Sequence, residues 1–150
     1  MNIIRNYRLM SMPSAQCYVE ILKEWDCPND TEIKGAPHRV TITLVSYSTR
    51  VCSIVIDPVA SPPKMAVLAS GTYSNTTARH INRFTQEFFG VNLYNTIRDV
   101  TRVMGENTYV VRGQRMALCR ATSEVGRIAN TMQKVFDYTQ NAKRFTGKYC

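Results

Sequence analysis

The residues best equipped for chemistry lie between Tyr73 and Gly90. His80 falls on the first turns of an expected helix, next to Arg79 and three residues before Arg83, and Ser74, Asn75, Thr76 and Thr77 precede it. A helix N-terminus presents unpaired backbone N–H groups and the positive end of the helix dipole. With hydroxyls and guanidinium groups added, Ser74, Thr76, Thr77, Arg79, His80 and Arg83 form a candidate contact for a phosphate or a nucleic-acid backbone. The same residues have a structural reading. Ser, Thr and Asn are the preferred helix caps, and a histidine here also suits a helix–sheet seam, hydrogen-bonded to a backbone carbonyl or a tyrosine. Catalysis would need a cysteine or serine beside His38 or His80 and a third group to orient the imidazole. The chain has no nucleophile elbow, no glycine-rich phosphate loop and no convincing carboxylate pair, so no enzyme activity and no cofactor are expected. An enzyme centred on His80 is the last of the alternatives.

A second set of candidates lies in the C-terminal half. Arg112, Arg115 and Arg120 bracket an expected hairpin, and Lys143, Arg144 and Lys148 alternate with Phe145 and Tyr149. Cations interleaved with aromatics hold single strands by charge and stacking; the plainer reading is solvating charge and a frayed terminus. Cys17, Cys27, Cys52, Cys119 and Cys150 are odd in number and scattered, with no Cys-x-x-Cys pair. They read as reduced, small apolar residues, and no metal site is expected.

The 150 residues carry 19 basic and 11 acidic side chains, a net charge of +8. Residues 1–37 hold four basic and five acidic groups (−1), and residues 38–150 hold fifteen and six (+9). Such a chain is drawn to polyanions. Glu20, Glu24, Asp26, Asp30 and Glu32 read as a solvated acidic face. No run approaches the roughly 20 apolar residues of a membrane span, and the N-terminus lacks the apolar stretch of a signal peptide. A cytoplasmic protein without membrane contact is expected.

The elements that position these residues follow from periodicity. Ala78, Ile81, Phe84 and Phe88 draw one apolar stripe, with Gly90 to end the helix, so a helix is expected over 76–89. Asn2–Met10 reads as a strand. Ala15, Tyr18, Val19, Leu22 and Trp25 recur at helical spacing, so Ser14–Trp25 is expected to be a peripheral helix. Val40, Ile42 and Leu44 alternate with Thr41 and Thr43 in a clear strand. Residues 50–56 form a second strand, apolar on both faces and hence central. Met65–Ser70 forms a third. Val91–Met104 reads as a helix ended by Gly105. Gly113-Gln114 suits a type II′ hairpin. A final helix over 123–141 is expected to bury Val125, Ile128, Ala129, Met132, Val135, Phe136 and Thr139 on one face.

Ser46-Tyr47-Ser48-Thr49 after a strand, then Tyr73-Ser74-Asn75-Thr76-Thr77-Ala78-Arg79-His80-Ile81-Asn82-Arg83-Phe84 opening a helix, resembles a family of small proteins encoded by tailed bacteriophages. The likeness spans Leu44–Phe84. It implies a phage origin and a β-β-β-α core, and no catalytic residue.

The expectation is one α+β domain over 1–150, an antiparallel β-meander of three or more strands plus a later hairpin, packed against two or three amphipathic helices. Residues 1–37 form a peripheral arm, 38–90 the β-β-β-α core, and 91–150 a helix, the hairpin, the C-terminal helix and a basic tail. The expected function is a phage-type accessory role through non-enzymatic binding of nucleic acid or of a host or defence protein, in the host cytoplasm. The alternative is a virion-associated or self-assembling subunit mating through a strand edge or an apolar patch.

Overall fold

The computed structural model describes residues 2–25, 35–71, 73–101 and 108–147. Within them, β1 (Asn2–Arg8), β2 (Cys17–Glu24), β3 (Arg39–Ser46), β4 (Thr49–Asp57) and β5 (Lys64–Ala69) precede α1 (Asn75–Phe89) and α2 (Tyr94–Thr101). β6 (Thr108–Val111), β7 (Gln114–Thr122) and α3 (Val125–Asn141) follow. All strand pairings are antiparallel, in one sheet of order β1-β2-β3-β4-β5-β7-β6. The fold is therefore α+β, a five-stranded meander extended by a hairpin. β4 is the middle strand, as its two apolar faces require.

Period-2 alternation sends Val19, Ile21, Val40, Ile42, Leu44, Ile54, Ile56 and Val67 to one face of the sheet. There they meet Ile81, Phe84 and Phe88 of α1, Ile97 of α2, and Ile128, Val135 and Tyr138 of α3 in one continuous core. The opposite face carries no described helix. On it Leu68, Val111 and Met116 form a smaller cluster with Val55, Ala66 and Leu118. No helix among the described residues is long and apolar enough to cross a membrane.

The structure corrects four sequence expectations. The helix expected at 14–25 is strand β2, the second strand of the sheet, bonded to β1 and β3. Its Val19 and Leu22, expected on one helical face, lie on opposite faces of the sheet. Both faces of β2 are covered, so Tyr18 and Leu22 on one face join Val19 and Ile21 on the other and the alternation is hidden. The hairpin turn is Arg112-Gly113, both with positive φ (52° and 79°), which is the type I′ arrangement rather than a type II′ turn at Gly113-Gln114. α3 buries Ile128, Thr131, Val135 and Tyr138, whereas Val125, Ala129 and Phe136 are exposed. The core face is thus rotated, with Tyr138 and Thr131 supplying contacts that hydropathy assigns to Phe136. Finally, Glu20 is no solvated carboxylate: it is 4% exposed. The helix expected over 91–104 is present as α2, and Met104 and Gly105 lie outside the described residues.

Candidate functional site

Helix α1 begins as its sequence requires. Ser74 is the N-cap, in extended backbone conformation, and its Oγ accepts a hydrogen bond from the Thr77 N–H at 3.3 Å. Gly90 ends the helix with φ 90°, donating its N–H to the Thr85 and Gln86 carbonyls. At that conformation a residue with a Cβ is strained.

Two residues of the first turns point inward. The Ser46 hydroxyl lies 2.9 Å from His80 Nδ1 and 3.2 Å from Thr77 Oγ1. Ser46 and His80 are each 2% exposed. Ser46 is the last residue of β3. The next two, Tyr47 and Ser48, have φ values of 49° and 73°, the type I′ turn that joins β3 to β4. The Tyr47 ring lies 5.9 Å from the imidazole, and the Tyr47 N–H donates to the Gln16 carbonyl. The Ser-Tyr-x-Thr and Thr-Thr-x-x-His motifs therefore meet in space and tie the β3–β4 turn to the start of α1. Burial, and then the charge of Arg79, lowers the His80 pKa, so the fold favours the neutral ring. The Ser46–His80 separation is within the reach of a nucleophile–base pair, but both side chains are enclosed, and the arrangement serves as a lock between sheet and helix.

The remaining members of the anion-binding set lie on the other side of α1. Thr76, Arg79 and Arg83 are exposed, in line with Asn75 and Gln86. The structure thus divides the predicted constellation, with Thr77 and His80 inside and Thr76, Arg79 and Arg83 outside.

The basic residues of the second half divide as well. Arg112 is engaged: its Nε donates to Glu20 Oε1 at 2.9 Å and its Nη2 to Oε2 at 3.4 Å, while Arg50 Nη2 donates to Oε2 at 3.3 Å. Neither Glu20 nor Arg50 was singled out as a partner by sequence reasoning. The only signal was an acid set between Val19 and Ile21 in what proves to be a strand. The cluster draws the β6–β7 turn across the helix-free face onto β2, so the far end of the sheet curls back over the near one. Truncation should expose its worth. Glu20→Gln is expected to cost about 1–3 kcal/mol in urea unfolding, and its effect should not add to that of Arg112→Gln. Strict additivity in that cycle would show that the contact couples nothing.

Arg115 and Arg120 on β7 are exposed and have no carboxylate partner among the described residues. Lys143 and Arg144 lie in a segment laid along β1, with Arg144 over the Tyr7 ring at 5.7 Å. Phe145, expected to offer its ring to a base, is buried and stacked on Tyr18 at 4.1 Å. Lys148 and Tyr149 lie outside the described residues. Cys17 and Cys52 are buried, and burial pushes the Cys17 thiol up to about 12 and that of Cys119 to about 11. Both are thus held as protonated thiols. Among the described residues no group of three or more His, Cys, Asp or Glu is placed to hold a metal ion.

Residues 19–101 match the Family of unknown function (DUF8033). The chain belongs to this family. The matched stretch of DUF8033 runs from β2 through α2 and contains every residue of the lock: Ser46, Tyr47, Thr77 and His80. Arg112, Arg115, Arg120, Lys143 and Arg144 lie beyond it. No curated protein and no solved structure matches the chain.

Proposed function

We propose that this DUF8033 protein acts by binding nucleic acid without catalysis, and that the outer stripe of α1 makes the phosphate contacts. The observation that carries the proposal is the state of Arg79 and Arg83. They stand one helical turn apart, both exposed, and among the described residues no carboxylate is ion-paired with either. The nearest acid along the helix, Glu87, is turned to the Tyr138 hydroxyl and the Ser11 N–H. Glu20, Asp57, Asp99 and Glu124 are paired with other arginines. Among the described residues, positive charge therefore stands without an ion-pair partner on this helix and on β7. The hydroxyl and amide neighbours Asn75, Thr76 and Gln86 suit backbone contacts that fix position without reading sequence. The motif likeness to tailed-phage proteins supports an accessory role in a host cytoplasm.

Fluorescence anisotropy with labelled single-stranded and duplex DNA and RNA, titrated across salt, tests this. The double variant Arg79→Ala/Arg83→Ala should bind more weakly to every sequence alike and flatten the log K against log salt slope by about 1.4–1.8. Its melting temperature should stay that of the parent, because both side chains are exposed. Absence of binding at low salt, or an unchanged slope in the double variant, would refute the assignment.

A further inference from the structure

The sheet has two edges, and the molecule treats them differently. Along β1 the chain covers its own edge. The Arg8 N–H donates to the Lys143 carbonyl at 2.7 Å, the Phe145 N–H donates to the Asn6 carbonyl at 2.9 Å, and Tyr7 bridges to Arg144. An extended segment has added there, with its aromatic side chain buried against Tyr18.

The other edge is β6. The two-residue turn Arg112-Gly113 makes Val111 and Gln114 a hydrogen-bonded pair, and alternation then bonds Tyr109 to Met116. The backbone N–H and C=O groups of Thr108 and Val110 are left pointing away from β7, and no described residue pairs with them. Natural edges are normally blunted by charge, proline or a bulge. Thr-Tyr-Val-Val has none of these and consists wholly of residues that favour strands. Val110 is 72% exposed and Tyr109 43%.

β6 is also one wall of a groove of about 670 Å³. The groove runs between the β6–β7 hairpin and the helix-free face of β2–β5, floored by Leu22, Thr41, Val55, Ala66, Leu68 and Leu118. Its mouth is a cross-strand row of alternating sign, Glu24, Arg39, Asp57 and Lys64, in which Arg39 and Asp57 are ion-paired at 2.9 Å. The row sums to zero charge. It favours no ion over a neutral chain, and leaves Glu24 at one end and Lys64 at the other without an ion-pair partner among the described residues.

We infer that the open edge of β6 and this groove form a docking site for an extended peptide segment of a partner protein. The segment pairs with Thr108 and Val110 and sets alternate apolar side chains over the groove floor, as in strand addition. Outward backbone donors and acceptors in a row call for another backbone, which an apolar small molecule does not supply. The space beyond β6 lies between it and β2, where Glu20 and Arg112 hold the hairpin down. A chain paired with Thr108 and Val110 therefore also meets the apolar floor of the groove. The inference is independent of the arginines of α1 and of any nucleic acid.

The test is selection of a displayed library of short random peptides on the full chain, followed by titration of the recovered peptides as synthetic probes. Recovered sequences should alternate apolar and polar residues, and their binding should shift the amide resonances of Thr108 and Val110. Val110→Pro removes one outward N–H without breaking a bond to β7, and should weaken binding by about tenfold, the worth of one hydrogen bond of that kind. Tyr109→Ala, which strips the groove wall, and N-methylation of the peptide at alternate amides should weaken it too, the latter without touching the protein. Failure to recover any peptide would overturn the inference, as would recovered peptides that bind Val110→Pro and parent alike. So would concentration-dependent dimerisation abolished by Val110→Pro, since the edge would then belong to a second copy.

Discussion

Phe84→Ala should cost about 3–5 kcal/mol, the usual penalty for deleting a buried phenylalanine. At roughly 2–4 °C per kcal/mol for a domain of this size, the melting temperature should fall by roughly 6–20 °C. Phe84 is fully buried, and its ring lies 5.2 Å from that of Phe88, which in turn lies 4.8 Å from Tyr138. This run of rings joins the inner face of α1 to α3 above the sheet, so the vacated volume borders on side chains already held by other contacts and cannot collapse cheaply. Phe136→Ala removes the same group from a position that is 56% exposed and should stay within about 0.5 kcal/mol. Thermal unfolding of the two variants side by side is the measurement. Equal losses would mean that the core does not run through α1 as described.

His80→Ala should cost about 2–4 kcal/mol, combining a lost buried hydrogen bond with the cavity left by the ring. Ser46 would keep only its contact with Thr77, so one of the two hydrogen bonds from the end of β3 to α1 would be lost. A pH dependence accompanies the lock. Burial, and then Arg79, lowers the His80 pKa below its ordinary 6.5. The unfolded chain therefore takes up a proton that the folded chain refuses. The His80 contribution is full above the ordinary value and is lost as pH falls from there towards the depressed folded value. The parent should melt at a lower temperature near pH 5 than near pH 7.5, by more than the carboxylates alone produce. His80→Ala should show a shallower dependence over that interval. Parallel profiles for parent and variant would mean that His80 does not titrate differently in the two states.

Much of this architecture is legible along the chain. The stripe Ala78, Ile81, Phe84 and Phe88 between a capping serine and Gly90 specifies α1 almost to its ends, because caps and spacing act within a few residues. The alternation of Val40, Ile42 and Leu44 with threonines specifies β3, and the doubly apolar run at 50–56 specifies the middle strand. The candidate site was legible only in part. Residue types drew attention to Thr77 and His80, but the partner that turns them inward, Ser46, is about thirty residues away, and only the folded chain brings it within 3.2 Å.

By itself, then, the chain determined an α+β fold with its meander, its capped helix α1 and its excess of positive charge, all of which rest on local periodicity and composition. The tertiary structure alone decided that residues 17–24 are a strand, since Val19 and Leu22 fit one face of a helix as readily as the two covered faces of a strand until β1 and β3 supply backbone partners on either side. It alone decided that Glu20 is buried, because the two arginines that compensate its charge come from residues 50 and 112. And it alone decided which cations remain available, because neutralisation depends on distance in space, and the one carboxylate that pairs with both Arg50 and Arg112, Glu20, lies far from them in sequence.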